Sequence, residues 1–190
     1  MLSDSELVRF SKDGRLEAFE SLITKYKDRV YNIAFSFCAN AAESDDIAQS
    51  VFVKAYANIG SFEEKAAFST WLYRITVNEC YTALKKRRTN VLSLDAEISN
   101  AEDISLADIL ADAKADIEKA MVSSETQNMM RKSITELPDK YRIILTLRDI
   151  EDMSYEEISR IMKISQDKVK VWLFRARNKL KQIIEKKERK

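Results

Sequence analysis

Glycine occurs twice and proline once in 190 residues, and this scarcity limits the fold more than any other feature of the chain. Tight hairpin turns need residues that reach positive φ or that fix φ near −65°, so most all-β folds are excluded. A glycine-rich phosphate loop is excluded for the same reason. Histidine is absent, which removes Ser-His-Asp triads, Cys-His dyads and histidine-ligated metals. The two cysteines, Cys38 and Cys80, form no CxxC pair, so neither a zinc ribbon nor a disulfide framework is expected. The opening MLSDSELVRF lacks a cationic stretch followed by an apolar one, and no apolar run reaches the length of a bilayer span. The expectation is an all-α, cytoplasmic protein without cofactor, metal or catalytic apparatus.

A net charge of +1 hides an uneven distribution. Residues 1–90 carry 13 basic and 12 acidic side chains, residues 91–125 carry 2 and 9, and residues 126–190 carry 17 and 10. Helical periodicity is strong on either side of the acidic stretch and weak within it. The chain therefore divides into a helical domain over 1–90, an acidic linker over 91–125 and a basic domain over 126–190. A basic module behind an acidic linker points to nucleic acid contact by one part only, although a solvated lysine-rich helix face has the same composition.

In the C-terminal domain, Ser154-Tyr155-Glu156-Glu157 is a capping box that opens a helix of about two turns. Lys163-Ile164-Ser165 forms a tight turn, with Lys163 expected in the left-handed region and Ser165 as N-cap of a second helix. That second helix turns Val169, Leu173, Ala176 and Leu180 inward. Gln166, Lys168, Lys170, Val171, Phe174, Arg175 and Arg177 lie on its other face. Short helix, tight turn and longer basic helix define a helix-turn-helix whose second helix enters the major groove. An ordinary helical hairpin is the plainer alternative.

In the N-terminal domain, FSTWLYRITVN begins a helix with two faces. Phe68, Leu72 and Ile75 point to the core, while Thr70, Arg74, Val77, Asn78, Tyr81 and Lys85 form another stripe flanked by Trp71 and Tyr73. Aromatic rings among basic and amide groups suit single-stranded nucleic acid, which stacks on the rings and accepts from the donors. Lys85-Lys86-Arg87-Arg88 then reads as a phosphate-contacting run. Buried aromatics beside a solvated basic tail are the alternative.

DDIAQSVFVKAYANIGSF, FSTWLYRITVN with its basic run, LPDKYRIILTLRDIEDMSYEEISRIMKIS and VKVWLFRARNKL occur in this order and closely resemble bacterial RNA polymerase sigma factors of the extracytoplasmic-function (ECF) subfamily. The resemblance implies two helical domains that bind core RNA polymerase and promoter DNA and help to open the duplex, with an anti-sigma factor as a further partner. It implies that Asp45, Asp46, Gln49 and Lys54 dock on a coiled coil of the largest polymerase subunit. It places the loop from Gly60 to Ala67, with Ser61 and Phe62, around a base flipped from the non-template strand, and Trp71, Tyr73, Arg74 and Asn78 beside the opened duplex. It gives Lys168, Lys170, Val171, Phe174 and Arg175 the upstream promoter element, and threads the acidic linker through a polymerase channel. Lys163 in place of the usual turn glycine, Val171 and Trp172 in place of small polar or basic residues, and the loop Glu63-Glu64-Lys65-Ala66 depart from the family and bear on promoter sequence. A helix-turn-helix regulator that works without polymerase is the rival reading; it has no use for the platform around Trp71. A helical interaction protein such as an anti-sigma antagonist would not need the basic helix-turn-helix.

Overall fold

The computed structural model describes residues 2–91 and 132–188, so the acidic linker lies outside the described residues. Among them every regular element is helical. In the N-terminal module α1 spans Asp4–Lys12, α2 Leu16–Cys38, α3 Ala41–Asn58 and α4 Phe68–Val91. The ends follow local chemistry. Ser3 and Glu6 close a capping box at the start of α1, and the Asn40 side chain accepts from the Glu43 N–H at the start of α3. Such caps satisfy amides that a helix leaves without partners. Gly14 turns the chain between α1 and α2 at φ 82°, a conformation that glycine takes at least cost.

The α2 stripe buries Phe19, Leu22, Tyr26, Val30, Ile33, Ala34 and Phe37 against α3 and α4. The apolar three- and four-residue spacing thus became the module's core. Cys38 and Cys80 are both buried in it.

In the C-terminal module a helical turn at 132–135 leads to Pro138 and then to α5, Asp139–Leu145. α5 does not continue as a regular α-helix beyond Leu145. It loosens into a π-helical turn over Thr146–Ile150, where the Glu151 N–H reaches back five residues to the Thr146 carbonyl at 2.9 Å. α6, Tyr155–Met162, and α7, Gln166–Glu188, are the expected helix-turn-helix. Ser154 and Glu157 cap each other reciprocally, Lys163 takes φ 54°, ψ 47°, and the Ser165 hydroxyl accepts from the Lys168 N–H. Val169, Leu173, Ala176 and Leu180 are buried.

The two modules pack directly on each other. α2 meets α5, and α4 meets α6. The buried Arg142 guanidinium of α5 donates to the Phe37 carbonyl at the end of α2 (2.6 Å) and to the Thr135 and Leu137 carbonyls of its own module. Arg29 of α2 lies 3.6 Å from Glu151. A cation suits the carbonyl end of a helix, so Arg142 closes the joint at the end of α2, and Arg29 and Glu151 meet across it. Among the described residues no helix is long and apolar enough to cross a membrane.

Candidate nucleic-acid and polymerase interfaces

The loop from 60 to 67 is held by α1. Lys12 donates through Nζ to the Phe62 carbonyl at 2.7 Å and reaches Glu64 at 3.4 Å. Glu64 itself takes φ 57°. Phe62, Phe68 and Trp71 form an aromatic triangle with centroids 5.1 to 5.9 Å apart. Beside it opens a cavity of about 350 Å³ lined by Ser61, Phe62, Glu63, Thr70, Trp71 and Arg74, within the usual range for small-molecule pockets. Its wall includes Arg160 of α6, so the C-terminal module reaches the edge of this pocket.

The expected platform is therefore only partly assembled. Trp71 and Arg74 line the cavity and are partly exposed, and Asn78 is exposed further along α4. Tyr73 is not on the surface: it is 3% exposed, edge-on to Tyr26 at 6.1 Å. Burial raises its phenol pKa, against the lowering effect of Arg29. Val77 and Thr70 are buried as well. On a helix packed by α2 on one side and by α6 on another, these positions belong to the core. Lys85 and Lys86 are exposed, whereas the side chains of Arg87 and Arg88 lie outside the described residues.

On α3 the structure divides the polar set. Asp45 and Gln49 are exposed on one stripe, which Val53, 69% exposed, and Tyr56, 44% exposed, continue. At 100° per residue these four fall within about 80° of arc. Asp46 borders a groove between α3 and α4 that Glu79 and Lys86 also line. Lys54 faces away from Asp45, and its Nζ meets Glu79 of α4 at 2.5 Å. Lys54 thus ties two helices together, while Val53 and Tyr56 add apolar groups to the exposed stripe that polar residues alone did not reveal. Helical phase from Asp45 would have found them.

On α7, Gln166, Lys168 and Lys170 are exposed and Val171, Phe174 and Arg175 partly so. Lys170 pairs with Asp167 at 3.2 Å. Arg177 is turned away from this face: it grips Asp149 of the π-helical turn through Nη2 at 2.7 Å and Nε at 3.3 Å. It holds α7 onto the preceding helix.

A helical module with an aromatic-walled pocket, followed by a capped helix-turn-helix with a basic second helix, defines a two-module transcription protein that binds DNA. The family models for Sigma-70 region 2 and Sigma-70, region 4 match residues 22–89 and 127–180. The ECF RNA polymerase sigma factor SigW of Bacillus subtilis is 37% identical over 171 residues, covering 90% of both chains. The ECF RNA polymerase sigma-E factor of Escherichia coli K12 is 32% identical over 93% of this chain and 91% of that one. The fold is shared with CnrH in complex with the cytosolic domain of CnrY, at TM-score 0.69 and 22% identity over 96% of this chain and 97% of that chain. It is shared too with the sigma factor RpoE in complex with the anti-sigma factor NepR from Bartonella quintana, at TM-score 0.66 and 22% identity over 88% and 96%. The chain belongs to the ECF RNA polymerase sigma factors.

Proposed function

We propose that this protein binds core RNA polymerase, directs it to promoters with two sequence elements and assists duplex opening, acting in the cytoplasm. The observation that carries the reading is the coexistence of an aromatic-walled pocket on α4 with a helix-turn-helix on the same chain. The pocket suits an unpaired base, which stacks on aromatic faces. The helix-turn-helix suits intact duplex. A duplex-binding repressor uses only the second. Polymerase supplies the chemistry, and the sigma factor supplies position. Asp45, Asp46, Gln49, Val53 and Tyr56 form the polymerase face. Ser61, Phe62, Trp71, Arg74 and Asn78, with the basic run from Lys85 to Arg88, face the opened strand. Gln166, Lys168, Lys170, Val171, Phe174 and Arg175 face the upstream element. CnrH and RpoE were solved with CnrY and with NepR, and a comparable antagonist is proposed for this chain.

Reconstitution with core polymerase tests the reading. Run-off transcription from genomic fragments should depend on the protein, and Val53→Glu should weaken core affinity while leaving the fold intact. Footprints by the free protein with no effect on run-off transcription would favour a regulator that works without polymerase.

A further inference from the structure

Trp172 is half-buried on α7, and its ring meets a lysine from α7 and one from α5. Lys168, one turn earlier on α7, lies with Nζ 5.1 Å from the indole centroid, and Lys140 of α5 lies 5.5 Å from it and 5.1 Å from the Tyr141 ring. Either contact alone is an ordinary cation–π pair. Two ammonium groups on one ring repel each other, and no described carboxylate bridges them. The neighbouring acids are engaged elsewhere: Asp139 lies 3.8 Å from Arg142, and Asp167 pairs with Lys170.

The phase of α7 gives this cluster a direction. Lys168, Trp172, Arg175 and Lys179 recur at steps of four, three and four, which is one stripe of a helix. The adjacent stripe, Asp167, Val171, Phe174 and Asn178, carries the apolar and amide groups suited to base edges. The basic stripe therefore runs alongside the base-reading stripe, and Lys140 widens it from a helix outside the helix-turn-helix. Duplex DNA presents the same pattern: a groove floor of bases bordered by a row of phosphates.

We propose that Lys140, Lys168 and Trp172 form a seat for the phosphate backbone beside the upstream promoter element, the indole holding both ammonium groups at the spacing the strand requires. The seat positions α7 on the duplex and carries no sequence information. It rests on the reading of the helix-turn-helix as a promoter-binding module, and it gives a role to a tryptophan that departs from the family.

The test is equilibrium binding of reconstituted holoenzyme to an upstream-element duplex between 50 and 200 mM salt. Each phosphate contact adds about 0.9 to the slope of log K against log salt. The double variant Lys140→Gln, Lys168→Gln should lower the slope magnitude by about 2 and weaken binding equally on every single-base variant of the element. Trp172→Ala should weaken binding equally across those duplexes, and Trp172→Phe should restore it. Thermal melts of each full-length variant show whether the module is intact. An unchanged slope, a loss confined to one base pair, or a loss of core affinity with the DNA slope intact would overturn the seat, the last in favour of a polymerase contact. Phe174→Ala separates the two levels. If it impairs upstream binding and the lysine variant does not, only the seat falls. If neither does, the promoter-binding reading of α7 falls with it.

Discussion

Replacing Arg142 by Met should open the molecule. The guanidinium is 8% exposed and donates three hydrogen bonds among the described residues, of which one crosses between modules, to the Phe37 carbonyl at 2.6 Å. A hydrogen bond from a charged group contributes about 1.5–3 kcal/mol, so the closing equilibrium should shift toward the open form by about 10- to 150-fold. The other two bonds, to Thr135 and Leu137, lie within the C-terminal module. Their loss is offset in part because methionine fills a similar volume and removes a buried charge. Arg142→Lys should fall between, since an ammonium keeps the charge but not the fork. Energy transfer between dyes at Lys27→Cys on α2 and Gln182→Cys on α7 would report the open fraction. Both sites are exposed, whereas Cys38 and Cys80 are buried. An open fraction in Arg142→Met within twofold of the parent, with the module still folded, would refute the assignment of Arg142 to the joint.

Lys163→Gly should raise thermal stability by about 1 kcal/mol, or about 2–4 °C, because Lys163 occupies the left-handed region at φ 54°; calorimetry showing a lower midpoint would contradict this. Trp71→Ala should reduce permanganate reactivity of promoter thymines with core affinity unchanged, since stacking contributes about 1–3 kcal/mol per base; unchanged reactivity would remove Trp71 from the opened strand. Burial raises the Glu151 pKa in the closed form, with Arg29 and Asn32 acting in the opposite direction. The closed form therefore binds the proton more tightly, so closure is favoured at low pH and weakens as pH rises through the closed-form pKa. The dye distance followed upward from pH 4 should show this, and Glu151→Gln should flatten the profile.

Local chemistry made much of the fold legible. The capping box at Ser154, the left-handed turn at Lys163 and the cap at Ser165 each depend on residues within one turn of one another, and each lies where its sequence predicts. The burial of Tyr73 and Val77 did not show, because helix phase alone cannot tell which of two amphipathic stripes another helix covers. Lys54 and Arg177 read as surface cations from their types, yet both are committed to carboxylates 25 and 28 residues away. Arg142 is the extreme case. Its partner at Phe37 is 105 residues distant, and nothing local to Asp139–Leu145 marks it as a joint between modules. The pocket near Trp71 was legible in its aromatic residues but not in Arg160, which arrives from the second module.

A step of nine positions along a regular α-helix turns through about 900°, which leaves the two residues on opposite sides of the axis. Arg142 and Glu151 are nine apart, and both reach back to α2, at Phe37 and at Arg29. The π-helical turn over Thr146–Ile150 resolves this by absorbing one extra residue, which brings the two side chains to within about 80° of each other. The π-helical turn thus lets both side chains reach α2 although nine positions separate them. Straightening these residues into regular α-helix with none removed would set Arg142 and Glu151 about 180° apart and swing one of the two contacts away from α2, with the residues proposed to face the promoter on α4 and α7 unaltered. Substitutions that harden this segment into regular α-helix should therefore change how readily the molecule opens while leaving the proposed DNA-facing residues untouched.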